Sequence, residues 1–217
     1  MALVLLLLFN LVYSSAPGLY KQKNMTEARP VMKILFYGDS LTAGYGIDPE
    51  KAFPEIIQSK INQLGWSFQV VNGGVSGETS SGGLSRIDWV LKNRVDVFIL
   101  ELGGNDGLRG IDPKVTKNNL RGIIQRVKEN NPKTKIILAG MQAPPNLGND
   151  FTLAFKEIFP DLAKAESIDL IPFILENVGG IPQLNLPDGI HPTPEGHIIM
   201  ANNIWKTLRP ILEDLKD

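Results

Sequence analysis

With 217 residues, 43% of them hydrophobic and 21% charged, the chain is sized for one globular domain with a proper core rather than for two. A formal net charge of −1, with Lys and Arg scattered along the chain, argues against a nucleic-acid footprint or a polybasic membrane surface and leaves small or neutral partners. The absence of cysteine removes disulfides, thiolate nucleophiles and Cys-ligated zinc or iron–sulfur centres, so any nucleophile is an oxygen or a nitrogen.

Residues 1–13 form an apolar run too short to span a bilayer comfortably, and Ser14-Ser15-Ala16 follow with the small side chains that a signal peptidase requires. The expectation is an export signal and a periplasmic or secreted protein. No Lys or Arg precedes the run, so a later start at Met25 or Met32, leaving the protein in the cytoplasm, is the competing reading. Residues 17–31 read as an unstructured spacer. The chain therefore divides into an N-terminal segment, 1–32, and a domain, 33–217.

From there, short apolar runs alternate with longer stretches of helical period, the pattern of a parallel sheet covered by helices. The predicted strands are 33–37, 67–71, 96–101, 135–139 and a weaker 167–171. The predicted helices are 52–63, 83–92, 113–130, 151–165 and 194–215. Asp112-Pro113 and Thr193-Pro194 supply a cap and a first-turn proline to the third and last of these.

In such sheets ligands bind beyond the carboxyl ends of the strands. The loops leaving the first four strands are polar and glycine-rich: Gly38-Asp39-Ser40, then Asn72 to Thr79 with Gly77, then Gly103-Gly104-Asn105-Asp106, then Gly140 to Gly148. Ser40 is placed to open a helix, where its N–H and the helix dipole face any negative charge growing beside its hydroxyl. A serine hydroxyl needs a base and an orienting carboxylate to become a nucleophile. Of the two histidines, His191 lies in a rigid loop three residues after Asp188, with Gly189 allowing a turn between them. His197 falls early in the last helix and reads as a surface or half-buried residue. A metal site of the two histidines with Asp188 has no recognisable spacing, and neither metal nor cofactor is expected. Asn105 and the Gly77 N–H are candidate oxyanion donors beside the Ser40 N–H.

Taken singly, Ser40 or Asp39 is a helix cap, Asn105-Asp106-Gly107 a tight turn, and Asp188-Gly189 a turn before a proline-rich loop. Glu78 reads as a solvated loop charge and Glu101 as a strand-end acid bound to backbone. Arg86, Arg109 and Arg121 read as surface or helix-pairing residues, with Arg109 near enough to touch a substrate.

Together, Gly38-Asp39-Ser40-Leu41, Gly77 within Val75-Ser-Gly-Glu-Thr79, Gly103-Gly104-Asn105-Asp106 and Asp188-Gly-Ile-His191 resemble the four blocks of the GDSL or SGNH hydrolase family. The loops 102–110 and 142–148 are similar to those of its arylesterase, thioesterase I and lysophospholipase group. The resemblance implies a flavodoxin-like three-layer α/β/α sandwich with about five parallel strands. It also implies a Ser40-His191-Asp188 triad, an oxyanion hole of Ser40, Gly77 and Asn105, and hydrolysis of aryl esters, lysophospholipids or acyl thioesters. The expected partner is a small ester or thioester, and the expected state a monomer. The expected cleft walls are 107–111 and 143–151, with Leu108, Leu147 and Phe151 available to an acyl chain. A carbohydrate O-acetyl esterase or an acyltransferase with the same triad is the nearest alternative. A non-catalytic ligand-binding module is the alternative from another class. An esterase reading requires an unprotonated base, so its rate is expected to rise through the range in which histidine titrates.

Overall fold

The computed structural model describes residues 31–216, and the export signal expected in the segment before them lies outside that range. Five strands, β1 (Met32–Gly38), β2 (Phe68–Asn72), β3 (Val97–Glu101), β4 (Lys135–Ala139) and β5 (Asp169–Ile171), form one parallel sheet in the order β2-β1-β3-β4-β5. All five residues of β3 are buried. A central parallel strand is covered on both faces, which is why Val-Phe-Ile-Leu runs on without alternation.

Among the described residues there are seven α-helices: α1 (Ser40–Ala43), α2 (Phe53–Gln63), α3 (Ser80–Val90), α4 (Gly104–Leu108), α5 (Pro113–Asn130), α6 (Asn149–Glu166) and α7 (Pro194–Lys216). Helix α2 packs with α7, while α3, α5 and α6 pack in a row, so the sheet is the middle of three layers. The core is the apolar filling of both faces, from Ile34, Phe36 and Phe98 in the sheet to Phe53, Ile123, Phe159 and Leu208 on the helices.

The start of α5 agrees with the sequence expectation: Asp112 Oδ1 accepts the Lys114 N–H at 2.8 Å and Pro113 fills the first turn. Helix α3 instead begins at Ser80, three residues before the expected start. Thr79 caps it, and Asp106 accepts both the Ser80 N–H at 2.8 Å and the Ser80 hydroxyl at 2.5 Å. These contacts outweigh the helix-weakening pair Gly82-Gly83. Gly83 is required there, since a Cβ would meet Leu102, and its backbone carbonyl accepts the Tyr37 hydroxyl at 2.6 Å, as that of any residue could.

The strand order reverses between β1 and β3, and the chain leaving these two neighbours opens a crevice at the carboxyl edge of the sheet. Ser40 comes just after β1, and Asn105 just after β3.

Candidate active site

Strand β1 ends at Gly38, paired with Glu101 of β3, where no other residue fits: a Cβ would strike Thr42 Oγ1 and come within 2.5 Å of Glu101 Oε2. The chain then turns through Asp39, whose Oδ1 caps α1 by accepting the Leu41 N–H at 3.0 Å. This puts Ser40 at the first position of α1, 8% exposed, with its hydroxyl at the crevice. After one turn Gly44 (φ +73°) reverses the chain, and the Tyr45 N–H donates back to the Ser40 carbonyl at 3.0 Å.

The loop before α7 delivers the base. Leu186 and His191 are joined by a backbone bond of 2.7 Å, and between them Gly189 (φ +74°) closes a tight turn. Within it, Asp188 Oδ1 accepts the Ile190 and His191 N–H groups, each at 3.0 Å. Asp188 Oδ2 is then left 2.7 Å from His191 Nδ1, and His191 Nε2 lies 2.9 Å from Ser40 Oγ. A carboxylate only accepts, so Nδ1 carries the proton and Nε2 is the acceptor for the Ser40 hydroxyl. The His191 ring bond, with the two backbone N–H bonds behind it, holds the Asp188 carboxyl down at about 2.

Ser40 and His191 line a cavity of about 570 Å³ whose wall is mostly apolar, and Asp188 stands behind the ring, off that wall. Ser40, Gly77, Asn105, Asp39 and Leu108 are all on it. Among the described residues the Ser40 and Gly77 N–H groups have no acceptor. Leu147 and Phe151, expected on the wall, are not there. Leu147 sits on a short 3₁₀ turn open to solvent, and Phe151 turns inward to stack on Phe155 at 6.0 Å. The apolar lining comes instead from Met141, Ala143, Pro144, Phe173, Leu175 and Ile190. Tyr45, which the sequence reading passed over, lies with its ring centroid 4.5 Å from that of His191. Its one sequence signal is its place a single reversed turn after Ser40.

Some of the charges sit as expected, among them Arg121 and Glu101, and others do not. Glu78 is not solvated: its carboxylate takes both Nε (2.6 Å) and Nη2 (2.5 Å) of Arg86 and is nearly buried. Arg86 also donates to the Gly73 carbonyl at 2.8 Å and lies 3.9 Å over the Tyr37 ring, so it braces the loop that carries Gly77. Arg109 donates to the Gly77 carbonyl at 3.0 Å. Arg121 pairs with Glu166 between helices. Glu101 is fully buried, and its Oε2 accepts from the Asp39 backbone and the Thr42 hydroxyl. His197 is buried, stacked on Phe53 with its Nδ1 accepting the Phe53 N–H at 3.2 Å, and burial pulls its pKa down to about 4. That ring is committed to the core and is no partner for His191 in a metal site; among the described residues no cluster suited to a metal occurs.

A sequence profile of the GDSL-like lipase/acylhydrolase family matches residues 36–199. The arylesterase of Vibrio mimicus is 38% identical over 177 residues, covering 81% of this chain and 88% of that protein. A protein of Escherichia coli K12 named thioesterase 1/protease 1/lysophospholipase L1 is 39% identical over 182 residues, covering 82% of this chain and 84% of that one. A crystal structure of TesA aligns with a TM-score of 0.79 at 36% identity, over 82% of this chain and 99% of that chain.

Proposed function

The chain belongs to the GDSL-like lipase/acylhydrolase family, and from that premise we propose that it hydrolyses carboxylic esters with Ser40 as nucleophile, His191 as general base and acid, and Asp188 as the carboxylate that orients it. The observation that carries this reading is the His191 ring, 2.9 Å from Ser40 Oγ on one side and 2.7 Å from Asp188 Oδ2 on the other, beside an apolar cavity.

Ser40 Oγ attacks the ester carbonyl as His191 Nε2 takes its proton, and Asp188 stabilises the imidazolium. The oxygen of the tetrahedral intermediate accepts from the Ser40 N–H, the Gly77 N–H and the Asn105 amide. Collapse expels the alcohol, which receives the proton from Nε2, and leaves an acyl group on Ser40. Water then enters, gives its proton to Nε2 and attacks the acyl carbon, and the acid departs with Ser40 restored.

The apolar wall favours aryl and fatty acyl groups over an acetylated sugar, and the relatives' names put lysophospholipids and acyl thioesters in the same range. Methylene discrimination is worth only ~1–3 kcal/mol per group, so a broad chain-length profile is expected. The 1–13 run and the small residues after it support export to the periplasm or medium.

The test is hydrolysis of p-nitrophenyl esters from acetate to palmitate. Wild type turns them over, and Ser40→Ala, folded to the same extent, is nearly silent. Equal activity in the two proteins would remove Ser40 from the mechanism, and a profile confined to acetate would favour the O-acetyl esterase.

A further inference from the structure

A helix cap alone does not explain Asp39. Serine, threonine or asparagine caps as well, whereas a carboxylate sealed at 2% exposure is costly, and burial raises its pKa to about 6. What the carboxylate has and those residues lack is two acceptor oxygens, both of them engaged. Oδ1 takes the Leu41 N–H at 3.0 Å, and Oδ2 takes the side-chain amide of Asn105 at 3.1 Å. Gly104 eases the approach of Oδ2 to α4, because a Cβ there would lie 3.2 Å from it, a tight contact.

We propose that Asp39 is the positioning residue of the oxyanion hole: through its two oxygens it ties the helix that starts at Ser40 to the Asn105 amide, fixing both donors in one frame. This rests on the proposed role of Asn105 as an oxyanion donor. The Asn105 amide has two N–H bonds; Asp39 takes one, and the other remains for the cavity that both residues line. Rotation of the amide, which would turn its oxygen toward the developing charge, would set that oxygen against Asp39 Oδ2.

The surroundings hold Asp39 in turn. Its backbone N–H donates to Glu101 Oε2 at 3.3 Å, and the Thr42 hydroxyl donates to the same oxygen at 2.8 Å. Asp39 and Glu101 are neighbouring buried acids, and burial with mutual repulsion disfavours charging both. Burial and the neighbouring Asp39 push the Glu101 carboxyl well up, so Glu101 takes the proton and Asp39 keeps both oxygens as acceptors. A donor network of this kind is built before the substrate arrives, which is what gives oxyanion donors their leverage.

The test is a double-mutant cycle on p-nitrophenyl butyrate. Asn105→Ala loses the donor, at ~100- to 1,000-fold in kcat. Asp39→Asn and Asp39→Ser each keep one acceptor for the Leu41 cap and lose the Asn105 tie. Each lowers kcat by at least ~10-fold, with KM within about twofold and the melting temperature close to wild type. On the Asn105→Ala background, Asp39→Ser costs no more than about threefold further. Losses that multiply in the double variant, or an Asp39→Ser change confined to KM or melting temperature, would overturn the positioning role. Full activity in Asn105→Ala would overturn both this role and the assignment of Asn105, and so separates the two failures. If Asp39→Ser does not fold, Asp39→Asn, nearly isosteric, carries the same comparison.

Discussion

At Asp188 the division of labour between two oxygens predicts what a single-atom change does. Oδ1 holds the loop through two backbone N–H bonds, and Oδ2 holds the ring. Asp188→Asn can keep the first set and must present an NH₂ to His191 Nδ1, which selects the tautomer with its proton on Nε2, facing Ser40. The expected loss in kcat is ~10,000-fold with an unchanged melting curve, as for a triad base held in the wrong tautomer; a loss under tenfold would mean that Asp188 does not set the tautomer. The pairing of Asp188 with His191 was legible from sequence because everything that makes it, the turn and its Gly189, lies within the six residues from Leu186 to His191. Glu78 and His197 were misread for the opposite reason. Arg86 reaches Glu78 from two turns along α3, and His197 is claimed by Phe53, 144 residues away. Leu147 and Phe151 were misplaced because hydrophobicity says that a side chain is buried or available, not which of two spaces it faces.

Among the elements, the β1 to α1 junction is the least tolerant of change. Gly38→Ala places a methyl group against Thr42 Oγ1, Glu101 Oε2 and the Glu101 carbonyl, and none of these lies on a free surface. The expected cost is about 1–3 kcal/mol of stability in urea unfolding, from overpacking, together with lower kcat as α1 shifts; a variant as stable and active as wild type would show that the junction relaxes. Strand β4 and helix α5 match their sequence expectations end to end, because an apolar run and a capped, amphipathic period each say where they stop. Of helix α1 only its opening at Ser40 was legible, and helix α4 was not legible as such. They are four and five residues long, shorter than two turns, and carry no period. They are nonetheless the elements that bear Ser40 and Asn105, and glycine-rich loop chemistry, not periodicity, located them.

For the whole molecule, the alternation of strands and helices announced a parallel sheet, but its order did not follow from it, since any pair of apolar strands can hydrogen-bond. The order β2-β1-β3-β4-β5 is what brings the loops after β1 and β3 side by side, so the active-site reading depends on global topology. The core also predicts an acid sensitivity. His197 in the folded chain titrates near 4 against an ordinary 6.5, so below pH 6.5 the unfolded chain takes up a proton that the folded chain refuses. Its contribution is complete above pH 6.5 and is lost as pH falls toward 4. Asp39, raised from 3.8 to about 6, works in the opposite sense over an overlapping range, so the comparison must be by difference. Between pH 7 and 4.5 wild type should lose on the order of 2 kcal/mol more stability than His197→Asn; parallel curves would mean that the His197 ring accommodates its proton. The central claim is nevertheless that Ser40 forms a covalent acyl intermediate. It is tested most directly by treating the folded protein with a fluorophosphonate and mapping the adduct by peptide mass spectrometry. The account predicts one stoichiometric adduct, on Ser40, absent from Ser40→Ala and strongly slowed in His191→Ala; an adduct on another residue, or ester hydrolysis that persists in Ser40→Ala, would contradict it.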